Sequence, residues 1–346
     1  MAYTTISKPS LYFNTLLRTG NYAGSGTTAI TGVGFAPGLM WEKKRNGTSI
    51  HALLDQVRGN SKQLRSESTA AETTTSQYAS IDSDGFTVNN SGDYGGSDNL
   101  VSWHWKANGA GSSNSDGSIT STVSANTTSG FSIVTYTGNG VSGATVGHGL
   151  STTAPKVVLI KKTSGADSWS MLNTNIDLNK YLKLEGTDAQ VSDPLFNNTA
   201  PTTSVFTVDS DGQVNGNTNT FVAYCFSEVK GYSKIGSYTG NGNADGPFIY
   251  TGFKPAFVFQ KRTDSTSNWH IFDNKREPEN VMDKYLAPND SGAEGTATGF
   301  DFLSNGFKSR TSSNWNNQSG GTYIYMAFAE EPLVANVGQG IPATAR

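Results

Sequence analysis

Charged residues make up only 15% of this 346-residue chain, against roughly 25% in an ordinary soluble protein, while Gly (39 residues) and aromatics (11%) are plentiful. A net charge of −3 with no basic run longer than Lys43-Lys44-Arg45 leaves no nucleic-acid footprint, and no stretch nears the roughly 18 apolar residues of a membrane span. A surface of Ser, Thr, Asn and Gly, dense in turns, points to many short strands, so the expected class is all-β.

In chain order, residues 1–10 are expected to form an N-terminal arm, without the basic start and apolar stretch of a secretory leader. A first unit follows over 11–107. It carries Arg18-Thr19-Gly20-Asn21, the apolar run Pro37-Gly38-Leu39-Met40-Trp41, the block His51-Ala52-Leu53-Leu54-Asp55, the turn Asp84-Gly85 and the run Leu100-Val101-Ser102-Trp103-His104-Trp105. Ser, Gly, Asn and Thr crowd 108–130, which reads as a linker with an exposed strand at 119–123. A second unit, 131–231, restates the series as Tyr136-Thr137-Gly138-Asn139-Gly140, Pro155-Lys156-Val157-Val158-Leu159-Ile160, Trp169-Ser170-Met171-Leu172-Asn173 and Phe221-Val222-Ala223-Tyr224-Cys225-Phe226. A third, 232–334, does so with Tyr238-Thr239-Gly240-Asn241-Gly242, Pro255-Ala256-Phe257-Val258-Phe259, Trp269-His270-Ile271-Phe272-Asp273 and Tyr323-Ile324-Tyr325-Met326-Ala327-Phe328. Residues 335–346 complete the chain as an irregular C-terminal tail.

The copies keep register. Pro37 and His51 each lie 118 residues before Pro155 and Trp169, which in turn lie 100 residues before Pro255 and Trp269. Units of about 100 residues are domain-sized, so three tandem globular domains are expected rather than a thin solenoid. Post-proline runs of β-branched and aromatic residues read as buried strands. The last runs of the second and third copies, 221–226 and 323–328, are apolar on both parities, as for a central strand covered on both faces. Each unit is therefore expected to be an antiparallel β-sandwich of the jelly-roll or concanavalin/LamG-like kind, with two short helices at 55–64 and 277–286.

Candidate chemistry is sparse. His51, His104, His148 and His270 have no metal-motif spacing, and Cys225 lies in an apolar run as a small filler. Glu228 and Glu330 recur just beyond the last strands, without the paired arrangement a glycosidase uses. No metal site or cofactor is expected; only calcium stays open, through turn carboxylates such as Asp82, Asp84, Asp209 and Asp211. Trp169 and Trp269 recur at one strand position and read as core. Trp315, in Ser312-Ser313-Asn314-Trp315-Asn316-Asn317, has no counterpart and is the better contact residue. Trp315, Asn314, Asn316 and Tyr285 are thus the candidate carbohydrate contacts.

The opening Met1-Ala2-Tyr3-Thr4-Thr5-Ile6, the blocks Gly32-Val33-Gly34-Phe35-Ala36-Pro37 and Ser118-Ile119-Thr120-Ser121-Thr122-Val123, and the ending Tyr323-Ile324-Tyr325-Met326-Ala327-Phe328-Ala329-Glu330-Glu331-Pro332 resemble repeat-containing virion structural proteins of tailed bacteriophages, especially those of marine bacteria. The resemblance spans essentially the whole chain and brings no catalytic residues with it. It implies lectin-like or LamG-like sandwiches in a non-enzymatic structural protein on the virion exterior, synthesised in the bacterial host cytoplasm. A capsid decoration or a tail or tail-fibre accessory is expected. The partners would be other capsid or tail proteins, a homo-oligomer or symmetric array, and a host-surface glycan, with no nucleic acid and no membrane insertion. The rival expectations are a receptor-binding, lectin-like tail fibre and a polysaccharide depolymerase.

Overall fold

The structure, a computed structural model, describes residues 4–20, 25–90 and 98–334. Strand takes up 48% of it and helix 1%, and the strand pairs are antiparallel.

Each unit builds a long sheet in the same order. In the first, Phe13–Thr19 pairs with Asn99–Trp105, followed by Leu39–Lys44, His51–Asp55 and Gly59–Arg65. In the second, Phe131–Thr137 pairs with Thr220–Phe226, followed by Val157–Lys162, Ser170–Asn173 and Lys180–Lys183. In the third, Ser233–Thr239 pairs with Thr322–Pro332, followed by Phe253–Arg262 and Trp269–Asp273, and Leu286 bridges Ile271 in the fifth place. The registers coincide: Trp41 faces Trp103, Leu159 faces Tyr224 and Phe259 faces Met326.

A smaller sheet covers one face of each long sheet. Met40, Ala52 and Leu54 pack on Tyr78 and Phe86 in the first unit. Val158, Ile160 and Ala223 pack on Val146 and Phe206 in the second. Val258, Phe272 and Ala327 pack on Phe300 and Phe307 in the third. The other face of each long sheet turns toward the other two units. Strand alternation makes this division: in Thr220–Phe226, Phe221, Ala223 and Cys225 enter the sandwich while Val222, Tyr224 and Phe226 enter a core shared by all three units. The three tandem sandwiches are fused by the apolar residues on the second parity. The equivalent rings Trp105, Phe226 and Phe328 meet at the centre, with centroids 6.1, 5.7 and 6.1 Å apart pair by pair. Three equivalent rings at nearly equal spacing define a pseudo-threefold axis.

Three expectations about local structure are corrected. The stretch 108–130 is not a free linker: Ser112–Asn114 and Ser121–Asn126 extend the second unit's long sheet beside Phe131–Thr137. Val123, in the second of these strands, and Ile119, which bridges Val146 of the smaller sheet, are both buried. No helix forms at 55–64, where the Asp55 carboxylate accepts the backbone N–H groups of Val57 and Arg58 and Gly59 takes φ +96° to start the next strand. Nor does one form at 277–286, which contains the strand Met282–Tyr285. The described part of the 1–10 arm is docked, with Ile6 in the shared core and Pro9–Leu11 in a 3-10 turn. The 335–346 tail lies outside the described residues.

Candidate functional site

The strongest polar chemistry lies in the seams between units. Lys43, Lys161 and Lys261 occupy equivalent strand positions, and all three are fully buried. Each reaches into the neighbouring unit: Lys43 Nζ donates to the Ser291 carbonyl (3.0 Å), Lys161 to that of Thr69 (2.9 Å) and Lys261 to that of Thr187 (3.3 Å). The same carbonyls accept the N–H groups of Ser49, Asp167 and Ser267. Ring nitrogens follow the pattern. Trp169 Nε1 donates to the Arg65 carbonyl (2.9 Å), Trp269 Nε1 to that of Lys183 (2.9 Å), and His51 Nε2 to that of Ala287 (3.0 Å). Each unit thus grips the one before it, and the first grips the third, which is a head-to-tail ring closed within one chain. Trp169 and Trp269 are seam core, buried completely.

Burial pulls all three lysines down to about 8. The unfolded chain holds these protons up to about 10.5, so between pH 8 and 10.5 the folded state sheds them first and stability rises with pH. Lys161→Met is expected to remove about one third of that alkaline gain, read from urea midpoints at several pH values.

Carboxylates in two seams are committed to structure. Arg58 bonds Asp55 (2.6 Å) and Glu72 (2.9 Å), and Arg276 bonds Asp273 (2.5 Å) and Glu294 (3.0 Å). A neighbouring unit adds a donor to each: Tyr224 Oη to Asp55 (2.8 Å) and Trp103 Nε1 to Asp273 (3.0 Å). The second unit replaces the whole set with Asn173, Ile176 and Gln190, and the donor position facing it, in the third unit, is Met326. Glu228 and Glu330 are paired with Lys234 and Lys254. The Cys225 thiol is buried and pushed up to about 12.

Turn carboxylates likewise bind their own chain. Asp82 accepts the Ser80 and Thr87 hydroxyls, and Asp84 the N–H groups of Gly32 and Gly34. Among the described residues no three His, Cys, Asp or Glu side chains gather as a metal would require.

An open cleft of about 330 Å³ lies beside the third unit, at its seam with the second, and it collects three of the four expected contact residues, Trp315, Asn314 and Tyr285. Its floor is His270, 4% exposed, whose ring sits 4.5 Å from that of Trp315 and 5.0 Å from that of Tyr285, centroid to centroid. Asn316 does not belong. It is fully buried, its amide spent on the Gly299 carbonyl and the Ser309 hydroxyl, so its sequence neighbourhood misleads. His270 was missed because it lies inside an apolar strand; alternation put it on the sandwich side, where the Trp315 loop covers it.

Buried groups peculiar to the third unit fix that loop. Gln260, where the second unit has Ile160, donates to the Trp315 carbonyl (2.9 Å). Tyr323, where the second unit has Phe221, donates its hydroxyl to the Asn314 carbonyl (2.7 Å). At the second unit's equivalents of His270 and Trp315 stand Ser170 and Gln213. The ring-lined cleft is therefore an addition to one copy, over and above the repeated architecture.

A search of curated proteins finds no match to the chain. A family profile described as Domain of unknown function (DUF7483) matches residues 8–332, covering all three units and their seams, and the chain belongs to that family.

Proposed function

We propose that this chain is a non-enzymatic structural component of the exterior of a bacteriophage particle, acting as a rigid platform that contacts host-surface glycans. The observation that carries the platform role is the closed ring of seams, in which three buried lysines cross from unit to unit. Buried cations are costly unless fully partnered, and here three of them join unit to unit. A chain that imitates a trimer suits a symmetric mount on a capsid or tail. The sequence resemblance to virion proteins supplies the setting, and the cleft beside Trp315 supplies a contact point that favours the lectin-like variant of the same reading.

Mass spectrometry and cryo-electron microscopy of purified particles test the proposal. The chain is expected in stoichiometric amounts at an outer capsid or tail position. Its presence in infected-cell extracts but never in particles would overturn the assignment.

A further inference from the structure

We infer that the cleft beside Trp315 binds one ring of a neutral, hydroxyl-rich sugar, which names the ligand class of the contact role proposed above. Three features carry this. The cleft has an aromatic wall, Trp315 and Tyr285, of the kind that accepts the C–H face of a pyranose. It offers unspent polar groups: His270 Nδ1 is buried without a hydrogen-bond partner, and among the described residues the Trp315 indole N–H and the Tyr285 hydroxyl have none within the chain. Sugar hydroxyls, which both donate and accept, are the complement of such a mixed set.

The third feature is charge. No Lys, Arg, Asp or Glu side chain lines the cleft, and burial, with Lys261 nearby, keeps the His270 imidazole neutral. Arg262, which donates to the Asn314 carbonyl at 3.3 Å, is already engaged with Asp264 at 2.9 Å. An acidic sugar would find no free cation, and an apolar ligand would leave the N–H and O–H groups unpaired. The loop carrying Trp315 is held before any ligand arrives, through Gln260 and Tyr323, so little ordering remains to be paid on binding.

Saturation-transfer NMR and calorimetry on the full chain, with maltohexaose, mannohexaose and galactotetraose as neutral probes and oligogalacturonate as the anionic one, test the assignment. At least one neutral probe is expected to bind with a Kd in the millimolar range or tighter. Trp315→Gln and His270→Ser, which write the second unit's residues into the cleft, are each expected to weaken it about 10-fold or more. Tyr285→Phe, which removes a single hydroxyl, should weaken binding with an unchanged Tm, and so covers the case in which the larger changes disturb folding. No binding by any neutral probe at about 10 mM, preference for oligogalacturonate, or undiminished binding by Trp315→Gln would overturn the inference. The chain's absence from particles would defeat the platform reading and leave such binding intact, so the two failures are distinguishable.

Discussion

Lowering the pH from about 7.5 to about 5 is expected to remove about 6 kcal/mol of folding stability, about 2 from each of three histidines. Burial holds His51, His104 and His270 down to about 3, from an ordinary value of 6.5. Below 6.5 the unfolded chain takes up these protons, while the folded chain refuses them until about 3. The contribution is therefore complete above 6.5 and drains away as the pH falls toward 3. At pH 5 the unfolded imidazoles stand about 1.5 pH units below their pKa, at about 1.36 kcal/mol per unit. His148, also lowered by burial, adds in the same direction. The Glu67 carboxyl, raised by burial, works in the opposite direction as the pH falls.

Hydrogen bonding makes the case strongest for His51. Trp41 Nε1–H donates to its Nδ1 at 3.0 Å, while its Nε2–H donates to the Ala287 carbonyl. A proton added at Nδ1 would set two N–H groups against each other. His51 also stands in the seam between the first and third units, where the other two seams have tryptophan, so acid attacks the ring at its closure. Urea unfolding at about pH 7.5, 6 and 5 measures the loss. His104→Cys, which copies the second unit's Cys225, should reduce the drop by about 2 kcal/mol. A flat stability profile between about pH 7 and pH 5 would refute the account.

Much of the fold is legible in the sequence because repeated positions keep their spacing and because alternation is strict. The runs apolar on both parities announce strands covered on both faces. They do not say what lies on the second face, since Trp105, Phe226 and Phe328 carry no mark of one another until the chain closes on itself. The seam lysines illustrate the same gap. Lys43-Lys44 reads as a solvated strand end, yet Lys43 shares the parity of Leu39 and Trp41, which face the shared core. That parity was the available signal. The candidate contacts divide likewise: Trp315 stood out by having no counterpart, whereas Asn316 and His270 depended on which way a loop folds over a sheet.

Arg276→Ile is expected to cost about 3–5 kcal/mol, whereas Asp273→Asn combined with Arg276→Ile should cost about 1–2. Arg276 and Asp273 are both fully enclosed. Removing the guanidinium alone strands a carboxylate that keeps only neutral donors, the N–H groups at positions 275 and 276 and Trp103 Nε1. It also removes a cation lying 5.7 Å from the Trp103 ring centroid. Glu294 is less affected, because Arg45 binds it from across the seam at 2.9 Å. The double substitution writes in the Asn173 and Ile176 of the second unit, where the same backbone carries no charge: there Asn173 Oδ1 accepts the Asn175 N–H just as Asp273 accepts that of Lys275. An asparagine at 273 retains that turn through Oδ1, and the remaining cost is the bond from Trp103 Nε1, whose N–H then meets the amide NH2 where Oδ2 accepted it. A double-mutant cycle by urea denaturation reads the coupling directly. If the double variant proves as unstable as Arg276→Ile alone, the second unit's uncharged set is not interchangeable with the ion pair, and the equivalence of the three seams fails with it.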